Sequence, residues 1–102
     1  MDALAKCAAA CGHCFTACLQ EQDVNMMERC IKLDLDCAEI CALATGFVAR
    51  GSEHAMHILR ECAEICHACA EECEKHSHME HCKKCAEACR ACAEACGTAV
   101  AA

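Results

Sequence analysis

The sequence predicts an all-α protein, an antiparallel up-down-up-down four-helix bundle with a cysteine-lined interior, spanning residues 1–102 as one domain. Three observations predict it. The 102 residues hold no Pro and only four Gly, while Ala, Glu, Lys, Arg and Met, all good helix formers, fill most other positions. Sixteen cysteines recur in steps of four, three and four. Short polar breaks cut the chain into four segments, each long enough for several helical turns.

The first helix is expected over 2–20 and carries Cys7, Cys11, Cys14 and Cys18. Gln22-Asp23-Val24-Asn25 then breaks the pattern. The second, over 25–50, carries Cys30, Cys37 and Cys41, with Asp34 standing where the remaining cysteine of the repeat would fall. Gly51-Ser52 ends it, with Ser52 an N-cap candidate for the third helix, over 53–75, which holds Cys62, Cys66, Cys69 and Cys73. His76-Ser77-His78 separates this from the fourth, over 79–98, with Cys82, Cys85, Cys89, Cys92 and Cys96. Connections this short favour antiparallel neighbours.

Steps of four and three alternate between the a and d positions of a heptad, which face inward in a bundle. Cysteine therefore replaces the usual leucine seam. The same register reaches Leu4, Val48 and Leu59 at a, and Ala44, Ala55 and Ala99 at d, an apolar plug. Antiparallel packing gathers Leu4, Phe47, Val48, Ile58 and Leu59 at one end. Met26, Met27, His76, His78, Met79 and His81 gather at the other, so one end is closed and the other rich in donors.

Helical spacing argues against a disulfide scaffold. Neighbours four apart keep their Cβ atoms ~5–6 Å apart, whereas a disulfide needs about 3.8 Å. The N-terminus shows no basic region followed by an apolar stretch, so export is not expected and the chain is read as cytoplasmic. In a reducing cytosol these cysteines stay thiols unless a metal claims them.

Thiolates select soft metals. Zinc prefers four ligands, commonly from CxxC turns in loops, and the CxxC pairs here lie inside predicted helices. Copper(I) accepts two sulfurs nearly in line, and seven CxxxC pairs (7/11, 14/18, 37/41, 62/66, 69/73, 85/89 and 92/96) could each clamp one ion. Charge separates the two further. A tetrathiolate Zn²⁺ site leaves −2 in a dry core, while one Cu⁺ per thiolate leaves none, and buried uncompensated charge is costly. The expected cargo is therefore multiple Cu(I) ions, roughly one per cysteine, on Cys7, Cys11, Cys14, Cys18, Cys30, Cys37, Cys41, Cys62, Cys66, Cys69, Cys73, Cys82, Cys85, Cys89, Cys92 and Cys96. A zinc-thiolate store and an iron–sulfur electron-transfer protein remain open as alternatives.

The segments CAAACGHCFTAC, LDLDCAEICALA, CAEICHACAEEC and CKKCAEACRACAEAC resemble the cysteine-rich four-helix-bundle copper storage proteins, in particular their cytosolic bacterial branch. The resemblance covers essentially the whole chain. It implies a cytosolic store for many Cu(I) ions along the bundle axis, serving copper homeostasis and detoxification, with His or Met near the mouth and a homotetrameric assembly. A copper donor or acceptor protein would be the partner.

Met27, His76 and His78 fall on the inward register at the open end and are candidate entrance ligands. Met26, Met79 and His81 lie beside that seam as further candidates. His13 and His67 flank cysteines but point off the register, and His54 and His57 lie outside the donor cluster. Asp34 takes an inward slot, suited to orienting a ligand or accepting a hydrogen bond from a thiol. Leu33, Ile40, Phe47, Ile58 and Ile65 recur along one flank of helices 2 and 3 as helix packing. Leu19, Leu35 and Leu43 point outward and suggest a subunit interface.

A net charge of −7 argues against nucleic acid and anionic membrane surfaces. No apolar run approaches the ~18 residues of a membrane span. The chain is not expected to be an enzyme: Glu64-Ile65-Cys66-His67 is one Glu-x-x-His motif, but a di-iron carboxylate bundle needs two.

Overall fold

A computed structural model describes residues 1–102. Its helices are α1 (Asp2–Leu19), α2 (Glu28–Ala49), α3 (Ala55–Glu74) and α4 (Glu80–Ala101), with a 3-10 turn at Val24–Met27 before α2. Each helix packs on its chain neighbours and α1 closes the ring on α4. The molecule measures 44 × 18 × 18 Å, as a square bundle of helices about 30 Å long requires.

The helix ends differ from the sequence expectation in ways that backbone chemistry explains. The second α-helix begins at Glu28 rather than at 25, because residues 24–27 wind into a 3-10 turn. Between α2 and α3, Gly51 adopts φ +64°, Gly51 N–H donates to Val48 O at 3.1 Å and Ser52 N–H to Phe47 O at 2.9 Å. These two bonds form a Schellman motif, and glycine takes the left-handed position without Cβ strain. Ser52 is not the N-cap of α3. Its Oγ instead accepts the His54 N–H at 3.1 Å, stabilising a turn before the helix starts at Ala55. Beyond Cys96 the Ala-rich tail continues α4 to Ala101, past the expected end at 98.

Every cysteine is fully buried. At the closed end Leu4, Ala44 and Leu59 are buried beneath the column, with Val48, Ile58 and Ala99 packed against it. Leu33, Ile40 and Ile65 also pack partly buried against this core, while Leu19, Leu35 and Leu43 are exposed as their register predicts. Phe47 is half-buried, with the Arg50 guanidinium 4.7 Å above its ring. Large apolar side chains thus seal one end, and sulfur fills most of the interior.

Candidate metal centre

Heptad positions on four helices turn sixteen free thiols into one axial column. At the closed end Cys41 Sγ lies 3.7 Å from Cys62, 3.8 Å from Cys66 and 3.9 Å from Cys92, while Cys92 lies 4.0 Å from Cys96. In the middle, Cys7 lies 3.6 Å from Cys37 and 3.7 Å from Cys89, Cys37 lies 3.5 Å from Cys66, and Cys11 lies 3.5 Å from Cys89. The column continues through Cys85, 3.6 Å from Cys11, towards Cys30, 3.6 Å from Cys73 and 4.0 Å from Cys18. Adjacent sulfurs at these separations can share one ion, and all but Cys69 and Cys96 have a sulfur neighbour on another helix at this range. Cross-helix pairs are as close as the i,i+4 pairs within a helix, a spacing that suits thiolates shared between ions.

Asp34 interrupts this column. Its Oδ1 accepts thiol hydrogen bonds from Cys69 at 3.3 Å, Cys85 at 3.4 Å and Cys73 at 3.6 Å, and its Oδ2 from Cys30 at 3.8 Å. Burial pushes the Asp34 carboxyl up to about 9, and negative charge on Cys85 would push the same way. Burial also raises Cys18, helped by Cys30. Hydrogen bonding to Cys37 and Cys41 raises Cys66, whereas bonds from Cys11 and Cys37 hold Cys7 below the ordinary thiol range. Cys73 is lowered to about 7 by bonds involving Cys14 and Cys30. The thiols therefore do not ionise together: any that loses its proton relies on protonated neighbours donating to it, so the metal-free column stays close to neutral.

The open end is polar. His81 Nδ1 lies 3.5 Å from both Cys14 Sγ and Cys82 Sγ and 3.9 Å from Cys18 Sγ, and its Nε2 lies 3.1 Å from Glu21 Oε1. Met27 is buried. His76 turns to Glu72, Nε2 to Oε2 at 3.2 Å, while Arg29 Nη1 and Lys75 Nζ reach Glu72 Oε1 at 2.9 and 3.4 Å. Burial pushes Glu72 up, but Arg29, His76 and Lys75 outweigh it and hold the carboxyl below its usual range. His78 is exposed, contrary to its expected inward position, because α3 stops at Glu74 and the heptad register does not run through the turn that follows. Met26 is exposed and Met79 is packed partly against the core. His13, His54, His57 and His67 are exposed, His67 resting against Arg90 at 2.9 Å.

The sequence profile described as "Copper storage protein" matches residues 1–101. The chain belongs to the copper storage protein family. Among solved members it is 45% identical to the Cu(I)-bound copper storage protein BsCsp3, over 95% of this chain and 91% of that one, with a TM-score of 0.90. It is 39% identical to a cytosolic copper storage protein from Streptomyces lividans carrying five coppers, over 99% of this chain and 88% of that one, with a TM-score of 0.95. A cysteine-rich Bacillus subtilis protein of uncharacterised role, YhjQ, is 46% identical over 81% of this chain and 76% of its own. Family membership and the geometry agree on a copper storage bundle, and no helix is long and apolar enough to cross a membrane.

Proposed function

We infer that this copper storage protein is a cytosolic store that holds multiple Cu(I) ions on its sixteen cysteines, for copper homeostasis and detoxification. The observation that carries the reading is the column of fully buried sulfurs, with neighbours spaced 3.5–4.0 Å apart on either side of Asp34. A column so dry must stay close to neutral, and one Cu⁺ replacing one thiol proton keeps it so. Bridging thiolates then set the capacity near one ion per cysteine. The same argument disfavours a zinc-thiolate store or an iron–sulfur carrier: several tetrathiolate zinc ions would stack uncompensated negative charge along the axis. The chain acts by sequestration rather than catalysis.

Copper enters at the polar end, since Leu4 and Leu59 seal the other. Met27 supplies a buried thioether there, His76 a partly shielded imidazole and His78 an outer imidazole for capture from solvent. Leu19, Leu35 and Leu43 form the contact of a homo-oligomer, a tetramer by family resemblance, and a copper donor or acceptor protein docks at the mouth.

The test is an anaerobic Cu(I) titration of fully reduced protein against a competing chelator, with zinc in parallel. Saturation near sixteen ions with zinc unable to displace them is expected. Saturation at about four, or a preference for zinc along the whole column, contradicts the reading.

A further inference from the structure

The group at the mouth differs in kind from every all-sulfur group in the column. We propose that, in the copper-free protein, Cys14, Cys18, Cys82 and His81 form a single zinc(II) site that closes the open end, its three thiolates passing to Cu(I) as the store fills.

Four donor atoms, three Sγ and Nδ1, lie within 4.8 Å of one another. A tetrahedral Zn²⁺ with bonds of about 2.3 Å to sulfur and about 2.0–2.1 Å to nitrogen places its sulfurs about 3.8 Å apart and each sulfur about 3.5 Å from nitrogen. The protein presents Cys14–Cys18 and Cys14–Cys82 at 3.8 Å, and His81 Nδ1 at 3.5 Å from Cys14, 3.5 Å from Cys82 and 3.9 Å from Cys18. Little movement separates this arrangement from a filled tetrahedron.

The imidazole is set for ligation. Glu21 Oε1 lies 3.1 Å from His81 Nε2, so the carboxylate fixes the proton on that nitrogen and leaves the Nδ1 lone pair facing the sulfurs. A carboxylate behind a histidine is the usual support for a zinc ligand. The His81 side chain is 13% exposed, so the site is shielded but reachable from solvent.

Charge decides which metal prefers this position. A tetrathiolate zinc in the column carries −2 among fully buried side chains. The mouth replaces one thiolate by a neutral imidazole, giving −1 beside solvent and in the first turn of α4, whose N-terminus favours negative charge. Imidazole is a borderline donor that suits zinc, whereas copper(I) is better served by the thiolates deeper in. Bound zinc would tie the end of α1 to the start of α4 across the route that copper takes.

The test uses reduced full-length protein, free of metal, titrated with Zn²⁺ against a chromophoric chelator, with Co²⁺ as a spectroscopic substitute. One tight zinc per chain is expected, together with the absorption of tetrahedral, thiolate-bound Co²⁺. Glu21→Gln should weaken zinc by roughly 10–100-fold, and His81→Ala should abolish the tight class and the Co²⁺ spectrum, with circular dichroism confirming that both variants stay helical. No tight zinc, several equivalent zinc ions, or one ion indifferent to His81→Ala would overturn the proposal. Cu(I) capacity measured on the same samples reports separately on the store: copper near sixteen without the zinc class refutes this site alone, and the zinc class without copper uptake refutes the store alone.

Discussion

A carboxylate in the middle of a sulfur column is costly to ionise, and Asp34 shows how the protein manages it. Four thiols donate to its oxygens, yet burial still raises the carboxyl from 3.8 to about 9. The folded protein therefore holds a proton there that the unfolded chain releases above about pH 4. This group's contribution is fully present below the unfolded value and is lost as pH rises towards 9, a change on the order of 4 kcal/mol at pH 7. Asp34→Asn, which has nearly the same shape and no charge to bury, should flatten the dependence. Denaturant unfolding of the metal-free protein at several pH values between 5 and 8 measures it. Wild-type stability should fall relative to the variant as pH rises, and parallel profiles would show that Asp34 stays ionised. Its inward position was legible in the sequence, because it fills a cysteine slot between Cys30 and Cys37. The four thiol partners were not, because they come from three helices whose axial alignment only the fold supplies. His81 is the converse case: it lies one residue off the seam, yet its ring reaches across to α1 and meets Cys14. Glu21, which orients it, carried no sequence signal beyond an acidic residue after the first helix.

At the scale of helices, heptad spacing indicated which residues point inward but not where helices stop. The cysteine positions carried the register correctly through all four segments, since every one lies within a helix, Cys18, Cys30, Cys73 and Cys82 in terminal turns included. His78 lies past the end of α3, where a turn replaces the helix, and so the extrapolated register failed. The start of α2 likewise depended on a 3-10 turn that propensities do not distinguish from an α-helix. The apolar plug makes an element-scale prediction. Leu59 is 3% exposed, and it and Leu4 supply most of the large aliphatic packing at the closed end. Leu59→Ala should destabilise the metal-free protein by about 2–5 kcal/mol, measured by urea unfolding under reducing conditions, and leave Cu(I) capacity unchanged. A loss of capacity matching the loss of stability would mean that the plug shapes the binding column as well as sealing it.

For the whole molecule, the balance is between a core of small thiols and the need for a preformed cavity. Strong helix formers, the Schellman turn at Gly51 and the Leu4/Leu59 plug favour a bundle that folds before metal arrives. Far-ultraviolet circular dichroism of reduced, metal-free protein should then show a predominantly helical spectrum that changes little on copper loading. A random-coil spectrum that becomes helical with copper would instead make binding and folding one event. Loading such a preformed column requires every incoming positive charge to be matched by a departing one, which is the central claim made of this fold. The most direct measurement is the number of protons released per Cu(I) bound, followed in a weakly buffered anaerobic titration near neutral pH to saturation. Release of about one proton per copper, sustained to about sixteen coppers, is the predicted result; saturation well short of that number, or copper uptake with far fewer protons released than ions bound, would contradict it.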